Sequence, residues 1–241
     1  MSSRLLVWDL GRSTYEASLA LQRDLCRQRM GGDLEEDLLL LVEHEPVITL
    51  GRGTRSSSLP IAIPDLQRRG IGVYEVERGG DVTYHGPGQL VGYPILDLRQ
   101  HREDLHWYLR QLEGVLIQAL SRLGVEAGRR KGLTGVWTSG RKIASIGVHV
   151  KQWVTFHGFA LNVSTNLSAF DLIVPCGIPD VVMTSVSREL SHPDQATLWD
   201  VTRRTVIDVF AEVFRFSEVE VADAPRTATP THGTGQRSFG P

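Results

Sequence analysis

The apolar and polar positions along the chain follow two periods, one typical of helices and one typical of strands. Apolar residues three and four positions apart predict a helix from about residue 13 to residue 30, which the Gly31-Gly32 pair ends. Further helices are predicted at about 64–69, 103–123 and 195–214. Alternating or continuous apolar runs predict strands in DLLLLVEH, PVITLG, VYEVER, GQLVGYPILDL, VWTSGRKIASIGVHV (with a turn at Ser139-Gly140) and WVTFHGFALNV.

The order of these elements predicts one α+β domain. Helices and strands mix without a regular βαβ alternation, which favours a mixed β-sheet with helices packed against it. Residues 1–218 are predicted to form the domain, because no linker divides them. Residues 219–241 are predicted to be a disordered tail, since most of them are Pro, Gly, Thr and other residues that bury little apolar surface.

Composition and charge exclude several classes of protein. The chain has 241 residues, of which 41% are hydrophobic and 22% charged, and a net charge of −2. Such a composition is typical of a soluble globular protein, and it lacks the basic stripe of a nucleic-acid-binding protein. No apolar run approaches the roughly 18 residues of a membrane span. The start, MSSRLLVWDLG, has neither a signal peptide's apolar core nor a transit peptide's basic residues, so we expect a cytoplasmic protein.

The two cysteines lie in different surroundings. Cys26 is on the apolar face of the first predicted helix, so we expect it to be a small core residue. Cys176 lies in DLIVPCGIPD between Pro175 and Gly177, which predicts a shaped loop. Two cysteines make no disulfide framework, and neither C-x-x-C nor H-E-x-x-H occurs. Cys176 is therefore either a nucleophile or a residue without function. The spacing of residues along the chain identifies no partner for it.

The segment RGGDVTYHGPGQLVGYPI, residues 78–95, is unusually rich in glycine. Its glycines do not match the dinucleotide fingerprint, and no phosphate-binding loop of the G-x-x-x-x-G-K-[ST] type occurs. The glycines alone are compatible with two turns between strands. Because Arg78, Tyr84 and His85 lie among them, we favour a loop that lines a ligand site.

Lys142, in SGRKIASIGVHV, allows two interpretations. Arg141 and Lys142 are either a solvated basic pair beside a turn or the start of a strand whose small residues leave space for a ligand. A lysine near a thiol favours the thiolate and lowers a pKa that is ordinarily about 8.5. Cys176 lies 34 residues further along the chain, so only the fold could bring the two together.

Four segments together resemble a known family. RGGDVTYHGPGQLVGYPI, GRKIASIGVHV, FHGFALNV and PCGI, in this order, are similar to the successive motifs of the lipoyl(octanoyl) transferase family. The resemblance covers about residues 5–216, and MTSV after the cysteine matches the family's threonine-serine pair loosely. It implies the fold of biotin and lipoate protein ligases and a ping-pong acyl transfer that needs no metal or other cofactor.

The resemblance also implies the residues and the partners of the reaction. Cys176 matches the family's nucleophile and Lys142 the lysine that pairs with it. The donor would be octanoyl-acyl carrier protein, and the acceptors would be lipoyl domains of 2-oxoacid dehydrogenase subunits and the glycine-cleavage H protein. Apart from the resemblance, we expect a monomer by default, since the sequence leaves the oligomeric state open. The residues that match substrate-contacting loops are Arg78, Gly79, Gly80, Asp81, Val82, Thr83, Tyr84, His85, Ser145, Ile146, Gly147, Gly158, Phe159 and Ala160.

Two other functions compete with this interpretation. An ATP-dependent lipoate or biotin protein ligase of the same fold would need an adenylate site and would have no use for Cys176. A non-catalytic module that binds lipoyl domains or acyl chains would keep its function in a Cys176→Ser variant.

Overall fold

The computed structural model describes residues 4–177, 180–191 and 194–223, which fold into two β-sheets with helices packed against them. The strands are β1 (Arg4–Ser13), β2 (Asp37–His44), β3 (Val47–Leu50), β4 (Gly72–Glu75), β5 (Val82–His85), β6 (Gln89–Ile95), β7 (Gly128–Arg130), β8 (Leu133–Thr138), β9 (Arg141–Lys151), β10 (Val154–Asn162) and β11 (Glu218–Asp223). The helices are α1 (Tyr15–Gly31), α2 (Ile63–Arg68), α3 (Leu105–Arg122), α4 (Val186–Leu190) and α5 (Gln195–Phe214).

The larger sheet has eight strands in the order β11-β1-β2-β6-β10-β9-β8-β7. Strand β1 pairs in parallel with β11 and β2, and the other pairs are antiparallel. The smaller sheet has the order β4-β3-β5, with β3 parallel to β4 and antiparallel to β5. The predicted α+β fold with a mixed sheet is therefore confirmed.

Both faces of the larger sheet are covered, as the continuous apolar run in β2 requires. Successive side chains of a strand point to opposite faces, so the leucines of β2 divide between two cores. Leu39 and Leu41 pack in one core with residues of α3 and α5, whereas Leu38 and Leu40 pack in the other with α1. Cys26 belongs to this second core and is 3% exposed, which confirms its predicted role.

Helix α1 has well-defined ends, and these fix its first residue. The Thr14 hydroxyl accepts a hydrogen bond from the Ala17 amide, and Gly32 ends the helix in the left-handed conformation, with a φ of 84°. Tyr15, the first residue of the helix, is buried between α1 and the smaller sheet.

The structure corrects three parts of the prediction. Strands β2 and β3, expected to be joined neighbours, belong to different sheets, and β1 and β5 were not predicted at all. Residues 219–223 were assigned to a disordered tail, but they extend β11 along β1. Exposed valines at 219 and 221 bury little surface, so the strand depends on hydrogen bonds to its neighbour, which composition does not reveal. The rest of the tail, 224–241, lies outside the described residues.

Among the residues that the structure describes, no helix is both long and apolar enough to cross a membrane.

Candidate active site

A cavity of about 240 Å³ lies where the smaller sheet meets strands β6, β9 and β10. Most of its wall comes from the segment 78–85, from residues 145–147 and 157–160 of two neighbouring strands, and from residues 132–134 at the start of β8. Predicted site residues that line it are Arg78, Gly80, Asp81, Thr83, His85, Lys142, Ser145, Ile146, Gly147, Gly158, Phe159 and Ala160.

Three predicted substrate residues do not line the cavity. Val82 and Tyr84 point into the core of the smaller sheet, because side chains of β5 alternate and only Thr83 and His85 face the cavity. Gly79 donates its backbone N–H to the Val148 carbonyl at 2.9 Å and thereby fixes the glycine segment to β9.

Seven further lining residues were not predicted from the sequence: Tyr15, Val91, Tyr93, Gly132, Leu133, Thr134 and His157. A signal was present for some of them. Val91 and Tyr93 alternate along β6 within a quoted motif, and His157 precedes Gly158 in another. Tyr15 carries no comparable signal, because its position depends on how α1 docks.

Lys142 is fully buried beside the cavity, with 1% of the residue exposed. Its Nζ lies 5.5 Å from the centroid of the Trp137 ring, within the range of a cation–π contact. Gly135 lies against the lysine stem with a φ of 125°, and a Cβ there would come within 2.8 Å of the lysine Cε. A side chain at position 135 would therefore displace the lysine and the Ala144 carbonyl, whose oxygen would lie 2.7 Å from the Cβ.

The backbone of Lys142 is paired with the segment that follows the cysteine. Its N–H donates to the Val182 carbonyl at 2.8 Å, and its carbonyl accepts from the Thr184 N–H at 2.9 Å. Thr184 is itself held by the Asn162 side chain, which donates to its carbonyl at 3.0 Å. The chain that leaves the cysteine turn thus returns directly to the lysine.

Cys176 lies in a short 3₁₀ turn, Pro175–Gly177. The turn packs against β5 and against a second 3₁₀ turn, Ser56–Ser58, whose last carbonyl accepts from the Val174 N–H at 2.9 Å. Gly177 closes the turn with a φ of 64° and a hydrogen bond to the Val174 carbonyl at 3.0 Å. The side chain of Cys176 lies outside the described part of the chain.

Arg78 is buried and fixed by four hydrogen bonds. It donates to the Thr49 carbonyl at 2.7 Å, twice to the Thr49 hydroxyl, and to the Gly79 carbonyl at 3.1 Å. A Cβ on Gly147 would come within 3.0 Å of the Arg78 Cδ, so the glycine leaves room for this side chain. Arg78 therefore places a positive charge permanently at the cavity wall.

The histidines and tyrosines at the inner end of the cavity are uncharged near neutral pH. The His44 ring bonds to the Tyr93 hydroxyl at 2.7 Å, and the His85 ring to the Gln89 side chain at 2.7 Å. Burial lowers the pKa of His44 to about 4 and, with the neighbouring His44, the pKa of His85 to about 3. Burial raises the pKa of Tyr15 to about 12.

His157 occupies an unusual backbone position in this region. It lies within β10 but has a φ of 57°, and it is 1% exposed. Burial and the charge of Arg78 lower its pKa to about 3, and Glu77, 3.6 Å from its Nε2, opposes this shift. Its ring is therefore neutral at physiological pH.

Residues 4–177, 180–191 and 194–223 contain no group of three or more His, Cys, Asp and Glu side chains that could hold a metal ion.

Comparison with known proteins identifies the family. The model of the lipoyl protein ligase A/B catalytic domain matches residues 14–215. The chain belongs to this family. A protein named octanoyltransferase from a Nostoc species is 46% identical over 215 residues, which cover 89% of this chain and 94% of that protein. Another octanoyltransferase, from Synechococcus elongatus, is 49% identical over 200 residues, 83% of each chain. The predicted membership of the octanoyltransferase family, and hence of the acyltransferases, is confirmed.

Solved structures of this family share the fold. A lipoate-protein ligase A bound with ATP superposes with a TM-score of 0.69 at 17% identity, over 92% of this chain and 88% of that one. A bi-partite lipoate protein ligase from Thermoplasma acidophilum gives 0.68 at 18% identity, over 92% and 86%. The predicted ligase-like fold is confirmed.

Proposed function

We propose that the protein transfers an octanoyl group from octanoyl-acyl carrier protein to a lysine of lipoyl domains through a thioester on Cys176. The observation that carries the proposal is the pairing of Lys142, which lines the cavity, with residues 182–184, a few residues after the Cys176 turn. Relatives named octanoyltransferase, at 46% and 49% identity, support the choice of acyl group.

In the first half-reaction, the Cys176 sulfur attacks the donor's thioester carbonyl. The new C–S bond to Cys176 forms as the carrier's C–S bond breaks, and the carrier thiol leaves with the proton that Cys176 gave up. One thioester replaces another, so the step needs no ATP. An ammonium close to a thiol favours the thiolate, the reactive form, and we assign this role to Lys142.

In the second half-reaction, the acceptor lysine attacks the thioester on Cys176. The N–C bond forms as the C–S bond breaks, and the product is an amide. Lys142 in its neutral form would take the proton that the attacking nitrogen loses, and general base catalysis of this kind contributes about 10²- to 10⁴-fold. Amide formation from a thioester makes the overall transfer favourable.

The cavity supports an acyl chain as the transferred group. Its wall near β10 and β6 includes Val91, Phe159 and Ala160, which are buried apolar residues. Its volume of about 240 Å³ is slightly below the roughly 300–1,000 Å³ of sites for drug-sized ligands. Each buried methylene contributes about 0.8 kcal/mol, so the depth of such a cavity selects chain length.

The acceptors that we propose are lipoyl domains of 2-oxoacid dehydrogenase subunits and the glycine-cleavage H protein. A monomeric enzyme and a cytoplasmic location stay predictions of the sequence.

The experiment that tests the proposal is mass spectrometry of the full chain incubated with octanoyl-acyl carrier protein in the absence of ATP. We expect one octanoyl mass on the peptide that contains Cys176 and its loss when a lipoyl domain is added. Cys26→Ser is the matched control, because that thiol is buried in the core, and it should be labelled like the wild type.

Variants of the two proposed catalytic residues complete the test. Cys176→Ser should abolish amide formation, and Lys142→Ala should slow it by about 10²- to 10⁴-fold. Transfer that persists in Cys176→Ser would contradict the thioester mechanism. Transfer that requires ATP and free octanoate would favour the ligase instead.

A further inference from the structure

Among the charged residues that line the cavity, positive charges outnumber negative ones. In the described part of the chain they are two cations, Arg78 and Lys142, and one carboxylate, Asp81. Arg78 and Lys142 are buried, whereas Asp81 is half-buried and follows the exposed Gly80. The carboxylate therefore lies near the mouth of the cavity, outside the two cations.

Asp81 is held in place by two hydrogen bonds. Its Oδ1 accepts from the Val82 N–H at 2.7 Å, and its Oδ2 accepts from the Ser58 hydroxyl at 2.7 Å. Ser58 is 2% exposed, and its carbonyl accepts from Val174, next to the cysteine turn. One buried serine thus fixes both the carboxylate and the start of the turn.

The Asp81 carboxylate lies directly against the cysteine turn. A Cβ on Gly177 would overlap Oδ2 of Asp81, so the carboxylate packs against the residue that follows Cys176. A carboxylate has about four acceptor positions, and Val82 and Ser58 use two of them. Within the described ranges, Asp81 forms no ion pair with another residue.

The acceptor in the proposed reaction brings a positive charge to this position. A lysine side chain has an ordinary pKa of about 10.4, so it arrives almost entirely as an ammonium ion. Arg78 and, in its charged form, Lys142 repel an ammonium, and a fixed carboxylate at the mouth offsets that repulsion. Two of the three N–H groups of the ammonium can donate to the two acceptor positions of Asp81 that Val82 and Ser58 do not use.

We propose that Asp81 binds the ε-ammonium of the acceptor lysine at the mouth of the cavity and places it beside the acylated Cys176. The proposal rests on the proposed function. The ammonium loses one proton to solvent or to neutral Lys142, the N–C bond forms as the C–S bond breaks, and the second proton passes to the departing thiolate. The products are the amide, the Cys176 thiol and one released proton.

The test separates the two half-reactions in wild type and Asp81→Asn. Asparagine keeps the shape but not the charge, so acylation of Cys176 by octanoyl-acyl carrier protein should persist and change much less than transfer to the lipoyl domain. Because Asp81→Asn removes the charge from a hydrogen bond to the ammonium, we expect KM for a lipoyl domain to rise about 10- to 100-fold. We expect a smaller change in kcat. Asp81→Glu should recover part of the loss, because it restores the charge.

Hydroxylamine, an uncharged amine at pH 7.5, distinguishes charge recognition from a role in shaping the turn. We expect wild type and Asp81→Asn to pass the octanoyl group to hydroxylamine at equal rates. Equal losses with hydroxylamine and with the lipoyl domain would overturn the proposal, as would an unchanged KM for the lipoyl domain. Asp171→Asn, which removes an exposed carboxylate shortly before Cys176 in the sequence, should leave both rates as in the wild type.

A failure of the proposed function would show differently. Wild-type protein would then take up no octanoyl group on Cys176, before any acceptor is added. If wild type is acylated and Asp81→Asn has the wild-type KM, only the role of Asp81 is wrong.

Discussion

The two ends of the cavity are formed by different kinds of secondary structure. The mouth includes the loop residues Gly80 and Asp81, against which the Pro175–Gly177 turn packs, and buried Lys142 lines the same cavity. The inner end consists of side chains on a helix and on strands, such as Tyr15, Tyr93 and His157. Backbone hydrogen bonds hold the mouth in place, whereas ring contacts and side-chain hydrogen bonds hold the inner end.

The two ends also differ in charge. Near the mouth, Lys142 and Asp81 suit proton transfer and nucleophilic attack. At the inner end, burial lowers the pKa values of the histidines to about 3 or 4, so these rings are neutral, and the charge of Arg78 acts on His85 and His157 in the same direction. We therefore expect the chemistry to take place at the mouth and the inner end to select the acyl chain by shape.

Gly135→Ala should give the largest loss of activity, because it displaces the proposed catalytic lysine at the mouth. It leaves the inner end of the cavity unchanged. The new Cβ would lie 2.7 Å from the Ala144 carbonyl oxygen and 2.8 Å from the Lys142 Cε, so the neighbouring strand and the lysine stem must both shift. Misplacement of a catalytic group by about 1 Å costs about 100-fold, so we expect a fall of this size in kcat/KM.

Gly140→Ala is the control for the cost of a positive φ alone, because its new Cβ meets no neighbouring atom. Gly140 also has a positive φ, 78°, but no atom lies within 4 Å of a Cβ there. Similar losses of activity in both variants would show that backbone strain, and not the position of Lys142, causes the effect.

Ala160→Leu should change chain selection at the inner part of the cavity and leave the mouth intact. Ala160 is buried and lines the cavity, so a larger side chain takes space from the acyl chain. Each methylene that no longer fits removes about 0.8 kcal/mol of favourable burial free energy, which lowers kcat/KM about fourfold.

The measurement is the ratio of kcat/KM for octanoyl and hexanoyl donors. Loss of room for two methylenes should lower this ratio about 15-fold while hexanoyl transfer is kept. Equal losses for both donors would mean that the inner end does not select length.

His157→Asn should give the smallest effect, and it tests whether the inner end is neutral. The folded-state pKa of about 3 lies below the ordinary 6.5, so between these values the unfolded chain binds more protons. The stability that His157 contributes is present above pH 6.5 and is lost as the pH falls. Each such histidine contributes a slope of up to about 1.4 kcal/mol per pH unit.

Urea unfolding between pH 7.5 and pH 5 measures this slope. Asparagine tolerates a positive φ, so the variant should fold, and its stability should fall less steeply with decreasing pH than that of the wild type. A variant with the wild-type slope would mean that His157 is charged in the fold.

Much of the fold was predictable because apolar periodicity records burial. Helix α5 was predicted at 195–214 and lies at Gln195–Phe214, and α1 differs by two residues at its start and one at its end. Strand β11 was missed because hydrogen bonds to β1 hold it in place, and its own side chains bury little apolar surface. The division of β2 and β3 between two sheets depends on packing that no local pattern records.

The candidate site was predictable only where motifs carried it. The segment 78–85 was predicted as one block, yet alternation in β5 turns Val82 and Tyr84 away from the cavity. A loop was assumed there, and a loop has no such alternation. Tyr15 and Gly135 reach the site through helix docking and strand pairing, so they could be found only in three dimensions.

The pairing of Lys142 with Val182 and Thr184 has a consequence for how the site moves. A surface loop opens at almost no free-energy cost, but a segment hydrogen-bonded on both sides of a strand residue opens only when those bonds break. Residues 182–184 are therefore no lid. Gly80, Gly132 and Thr134 are exposed lining residues, so we expect substrates to enter past them while residues 182–184 stay paired with Lys142.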